Sequence, residues 1–228
     1  LNILTEIESL NEKYMLNNAN GTENNRTCNY TFIKGSVPIL LSAPHAVKQG
    51  RNGVLKAEDS NTGGITEYLC NVSNCYGIIR NHNRLDDPNK DDFGFGLAYK
   101  QKIMSAIKEY DIKLVLDIHG CSNLHDFDFC IGTNSGRNLN GQNNILKILN
   151  VGLSFIGKTA IDEHFNASLD GNISKYVSHN SSIPSIQLEI SSDFRRDSKH
   201  LEQLLLALQT SIDNINKRCL DCEKDLER

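Results

Sequence analysis

Three side chains able to hold a metal ion or a proton stand at or near the ends of apolar runs. They are His45 after "LLSAP", His119 after "LVLDI", and Glu189 within "IQLEI". Two imidazoles and a carboxylate, with a fourth position left for water, are a common catalytic zinc set. Glu58 and Asp59 follow the loop after His45, and Glu58 is placed to swing back toward the same point. A plainer role for both acids is to favour the positive end of a helix. Asp117 lies two residues before His119, hence on the same side of a strand, where it can hold the imidazole tautomer. Glu189 is costly to bury inside an apolar strand unless it is paired or functional, and burial would raise its pKa toward that of a general base.

Such groups need rigid elements behind them. "VPILLSA" (37–43), "YGIIR" (76–80), "IKLVLDIHG" (112–120), "DFDFCIG" (126–132) and "PSIQLEIS" (184–191) read as strands, with a short extended piece at "TAID" (159–162). Apolar residues recur at helical spacing in "AEDSNTGGITEYLCNVS" (57–73), whose acids, Ser and Asn stand where a helix would begin, in "LAYKQKIMSAIKEYD" (97–111), in a stretch near 142–156, and in the long "SKHLEQLLLALQTSIDNINKRC" (198–219). This alternation predicts a mainly parallel sheet covered on both faces. In such sheets ligands gather at the carboxyl ends of the strands, where His45, His119 and Glu189 fall. Residues 1–30 read as a marginal helix and a polar, Asn-rich loop. The expected division is therefore an N-terminal extension, 1–30, and a single domain, 31–228.

A net charge of −4 over 228 residues, without a basic stripe, argues against nucleic acid as a partner. The apolar runs are far shorter than the ~20 residues that cross a bilayer, so no membrane role is expected. Seven cysteines fit a reducing compartment, and with no basic-plus-apolar leader in view the expected location is the cytoplasm. Cys219 and Cys222 form a lone C-x-x-C at the end of a helical pattern, without a second pair to complete a zinc knuckle. The sequence carries no indication of oligomeric state.

"SAPHAV", "AEDSNTGG", "DDPN", "LDIHG" and "IQLEISSDFRR", in this order across roughly residues 37–210, resemble the N-formylglutamate amidohydrolase family, related to zinc carboxypeptidases and succinylglutamate desuccinylases. The resemblance implies a three-layer α/β/α sandwich with a mainly parallel mixed sheet, of the phosphorylase/hydrolase-like type. It also implies one Zn2+ per chain, or another divalent ion, held by His45, Glu58 and His119, with Glu189 as the base. In the carboxypeptidase pattern a glutamate stands three residues after the first histidine; here Ala46, Val47 and Lys48 follow, leaving the second ligand between Glu58 and Asp59. Glu58 is favoured because the longer side chain reaches back more easily from a helix start.

An acidic amide substrate needs cationic forks, which arginine provides by bidentate hydrogen bonding. Arg80, Arg84, Arg195 and Arg196 flank the expected rim, and Arg84, Asn89 and Arg195 are the candidate substrate-binding residues. The expected function is zinc-dependent hydrolysis of a small acyl-amino acid, N-formylglutamate-like, to a carboxylate and the free amino acid. The alternatives are a metallopeptidase or amidase acting on a larger acyl-amino acid or cell-wall peptide, and a non-catalytic metal-binding module.

Overall fold

The computed structural model describes residues 3–16, 29–83 and 85–220. The apolar runs form a seven-stranded sheet from β1 (Tyr30–Ile33), β2 (Val37–Ala43), β5 (Cys75–Arg80), β6 (Leu114–Cys121), β7 (Phe129–Gly132), β8 (Thr159–Ile161) and β9 (Ser185–Ser191), in the order β1-β5-β2-β6-β9-β7-β8. A separate two-stranded hairpin consists of β3 (Gln49–Arg51) and β4 (Val54–Lys56). The central pairs β5–β2, β2–β6 and β6–β9 are parallel, as is β7–β8, whereas β1–β5 and β7–β9 are antiparallel. The mixed, mostly parallel sheet agrees with the expected class.

Strand alternation assigns the two faces. Leu114, Leu116 and Ile118 of β6, with Ile186, Leu188 and Ile190 of β9, join one large core. That core is closed by α2 (Thr62–Ser73), α4 (Asn143–Ser154) and α7 (Ser198–Ile215), with α1 (Ile3–Leu16) packed beside α2. On the opposite face Leu40, Tyr76, Ile78 and Val115 pack against α3 (Gly94–Tyr110) and α5 (Ile173–Ser181). A short α6 (Ser192–Arg196) leads from β9 into α7.

The second face changes character along the strands. Val115 belongs to the α3–α5 core, but Asp117 and His119, one and two alternations further, are polar and buried. Gln187 and Glu189 repeat the change on β9. Apolar packing therefore anchors the amino-terminal half of these two strands, and buried polar side chains occupy this face in the carboxyl-terminal half.

α1 is fitted closely to α2. Ile7 and Tyr14 are fully buried, and Tyr14 donates its hydroxyl hydrogen to Glu67 at 2.7 Å. A Cβ on Gly64 would stand 2.4 Å from the Ile7 carbonyl oxygen, so this close approach requires glycine. Tyr14 also joins Ala43, Ala46 and Val47 in the small core behind the His45 turn.

Candidate metal centre

β2 ends at Ala43 and delivers His45 on the following turn, while β6 delivers His119 directly. The two rings meet edge to face, with Nδ1 of each 3.1 Å from the other. Asp59 completes a group of three. Its Oδ2 lies 3.3 Å from His45 Nδ1 and 3.6 Å from His119 Nδ1. A regular tetrahedron with arms of ~2.05 Å, the zinc–nitrogen and zinc–oxygen range, has edges of about 3.3 Å. The three atoms thus form one face of a tetrahedron sized for such an ion.

The outer partners fix which ring nitrogens face each other. His45 Nε2 donates to Asp87 Oδ1 at 2.8 Å, and His119 Nε2 donates to Asp117 Oδ2 at 2.8 Å. Carboxylates accept hydrogen bonds, so each Nε2 carries the hydrogen and each neutral ring turns its Nδ1 lone pair into the triangle. Two lone pairs and a carboxylate oxygen at such distances repel one another unless a cation or an added proton lies between them. In the metal-free protein, burial disfavours imidazolium, yet neighbouring carboxylates outweigh it: Asp87 and Asp59 raise the pKa of His45, and Asp117 chiefly raises that of His119. Burial likewise opposes ionisation of Asp59, but hydrogen bonds from His119 and His45 hold its pKa well below the usual range. The donor set fits a divalent ion of the zinc type.

Backbone geometry brings Asp59 to the two imidazoles. Its N–H donates to the His45 carbonyl at 2.9 Å, which draws residue 59 against the end of β2, and Oδ2 accepts the Gly120 N–H at 3.0 Å. The short side chain then spans the remaining gap. Glu58, favoured from the sequence, is not among the three; its Oε2 is buried without a hydrogen-bond partner among the described residues.

Glu189 sits beside His119 in the parallel β6–β9 register, on the same face. It is 6% exposed. Burial raises its pKa, opposed by the His119 and His45 charges. Gln187 donates to its Oε1 at 2.8 Å, and Asn172, whose side-chain oxygen caps α5, donates to Gln187 at 2.5 Å. Oε2 makes no hydrogen bond within the described residues.

Arg195 is buried, and its guanidinium donates to the carbonyls of Ile190 (3.0 Å), Cys121 (3.1 Å) and Ser60, and to Ser60 Oγ (3.0 Å). It stacks where a Gly120 Cβ would be, 2.5 Å from its Cζ, and so ties the ends of β6 and β9 to the Asp59 segment. Arg80 is also buried, with its donors on His82, the Asp86 carbonyl and the Asp86 carboxylate. Asn89 holds Asp87 through its N–H (2.9 Å) and accepts the Ile173 N–H (2.9 Å). Arg84 lies outside the described residues, as does Cys222.

Sequence reasoning missed Asp87 and Arg51. Asp87 lies in "DDPN", and two successive acids in a polar loop after a strand were the available signal. Arg51 bonds Asp87 Oδ2 through Nε and brings Nη2 to 3.5 Å from His45 Nε2, a contact created by the β3–β4 hairpin. No helix among the described residues is long and apolar enough to cross a membrane.

No protein-family model matches the chain, and no curated protein matches it. Solved structures do. The N-formylglutamate amidohydrolase from Ralstonia eutropha JMP134 superposes with a TM-score of 0.62 at 13% identity, over 83% of this chain and 97% of that one. A gene product of Agrobacterium tumefaciens superposes with a TM-score of 0.59 at 12% identity, over 82% of this chain and 94% of that one. The fold of this chain is similar to that of the N-formylglutamate amidohydrolase.

Proposed function

We propose that the chain is a metal-dependent hydrolase that cleaves the linear amide of a small N-acyl amino acid, N-formylglutamate-like, to a carboxylate and the free amino acid. The observation that carries this reading is the triangle of His45 Nδ1, His119 Nδ1 and Asp59 Oδ2, with edges of 3.1, 3.3 and 3.6 Å. Two imidazoles and one carboxylate suit zinc. A divalent ion held there supplies Lewis acidity, polarising an amide carbonyl and acidifying a water molecule.

The remaining work belongs to the chain itself. Asp87 and Asp117 hold the two imidazoles in the tautomer that presents Nδ1. Glu189, with Oε1 held by Gln187, accepts the attacking water's proton on Oε2 and returns it to the leaving nitrogen. Its burial raises its pKa, the direction that favours uptake of the water's proton. Arg195 holds the strand ends and the Asp59 segment in one frame.

The test combines elemental analysis of the purified chain with a hydrolysis screen of N-acyl amino acids. We expect about one zinc per chain and release of free amino acid. Glu189→Gln is expected to retain the metal and lose about 10²–10⁴-fold in turnover. A variant that keeps full activity removes the mechanism.

A further inference from the structure

We propose that Asn172, the cap of α5, is a positioning residue for Glu189: acting through the Gln187 amide, it fixes how the Glu189 carboxylate is held. This rests on, and deepens, the reading of Glu189 as the base. The start of a helix leaves backbone N–H groups without partners inside the helix. At the start of α5 the Lys175 N–H donates to Asn172 Oδ1 at 3.1 Å. A backbone N–H only donates, so the Asn172 atom facing it is oxygen, and Nδ2 is left to face Gln187. Nδ2 donates to Gln187 Oε1 at 2.5 Å. Gln187 therefore offers Glu189 its Nε2, which donates to Oε1 at 2.8 Å.

Each hydrogen bond dictates the sense of the next. Turning the Gln187 amide over would set its oxygen against Glu189 Oε1 and its nitrogen against Asn172 Nδ2. Asn172, Gln187 and Glu189 are all buried, so that mismatch would leave polar groups unpaired away from solvent. The result is a carboxylate with Oε1 committed to Gln187 and Oε2 left for the attacking water. The same helix start also reaches the metal centre. The Ile173 N–H donates to Asn89 Oδ1 at 2.9 Å, and the Asn89 N–H donates to Asp87 Oδ1, the acceptor of His45 Nε2, also at 2.9 Å. Gly171, with a φ of +83°, lies so near Lys90 that a Cβ there would collide with the Lys90 carbonyl. The first turn of α5 thus holds Glu189 and the outer partner of His45 in one frame.

A plainer role for Asn172 is that of a cap alone, and two substitutions separate the roles. Serine caps a helix about as well as asparagine but is too short to reach Gln187. Aspartate also caps, but with two accepting oxygens it obliges Gln187 to donate to it and to turn Oε1 toward Glu189. The test pairs neutron diffraction with kinetics on the zinc-loaded full chain. In deuterium-exchanged wild-type crystals the Gln187 amide deuterons should face Glu189 Oε1, and those of Asn172 should face Gln187. Asn172→Ser and Asn172→Asp should keep the melting temperature, zinc affinity and KM of the wild type. Their kcat should fall by about 3- to 10-fold and about 10- to 100-fold respectively, the scale of a slightly misplaced catalytic group. In a Gln187→Leu background, Asn172→Ser should have no further effect on kcat. A Gln187 oxygen facing Glu189 in the wild type, full kcat in either variant, or an undiminished effect of Asn172→Ser without Gln187 overturns the relay. Losses of kcat that merely follow melting temperature or zinc content also overturn it, leaving Asn172 a cap. If the deuterons lie as stated but the wild type hydrolyses no N-acyl amino acid, the relay stands and the hydrolase reading falls.

Discussion

Replacing Asp117 by Asn probes the tautomer argument at one histidine without altering any proposed ligand. Asp117 Oδ2 accepts from His119 Nε2 at 2.8 Å, and its Oδ1 accepts from Ser42 Oγ at 2.7 Å. Asparagine has the same shape but no charge, and it offers one acceptor and one donor in place of two acceptors. If the amide nitrogen faces His119, the ring hydrogen is driven to Nδ1, inside the triangle. If the amide oxygen faces it, the tautomer survives but the imidazole becomes less basic. Loss of an outer carboxylate costs 10- to 100-fold in metal affinity, which corresponds to about 1.4–2.8 kcal/mol. Disturbing the Ser42 hydrogen bond costs up to about 1.5 kcal/mol more, but this falls on folding stability rather than on zinc. The assay is competition for zinc against a chromophoric chelator, with circular dichroism confirming the fold. Asp87→Asn should weaken binding by a similar factor. Folded Asp117→Asn protein with wild-type zinc affinity would refute the reasoning.

Other expectations follow from the same geometry. Asp59→Asn should weaken zinc by more than either outer-carboxylate variant, while Glu58→Gln should leave it unchanged; the same competition assay ranks them. In the metal-free chain, the raised pKa values of His45 and His119 contribute stability that is full below about pH 6.5 and is lost as pH rises through the raised values. The lowered pKa values of Asp59 and Asp87 contribute stability that is full above about pH 4 and is lost as pH falls through the lowered values. Metal-free melting should therefore peak in mildly acidic solution, and added zinc should move the optimum upward, since the cation replaces protons; a metal-free optimum above neutrality would contradict this. Gly64→Ala should destabilise the chain by about 1–3 kcal/mol in urea unfolding, because the new methyl meets the Ile7 carbonyl.

The parallel centre of the sheet was legible because β2, β6 and β9 are buried on both faces and read as near-continuous apolar runs broken by few polar residues. Asp117, His119 and Glu189 stood out as polar residues within such runs and His45 as a polar residue just past one, and the structure brings them to one end of the sheet. β1 and the β3–β4 hairpin were not read, since four- and three-residue strands carry too little pattern. The preference for Glu58 weighed side-chain reach, yet the decisive contact is the backbone bond from Asp59 N to His45 O, which brings the chain itself close. Arg195 looked like a free cation because most of its partners are backbone carbonyls, which leave no trace in a sequence. Asp87 and Arg51 meet His45 only through tertiary contacts.

Anomalous scattering at the zinc edge from a crystal of zinc-loaded protein tests the central claim most directly. A single peak about 2.0–2.1 Å from His45 Nδ1, His119 Nδ1 and Asp59 Oδ2 is the expected result. A zinc ion bound through either Nε2, or seated away from these three atoms, would contradict it.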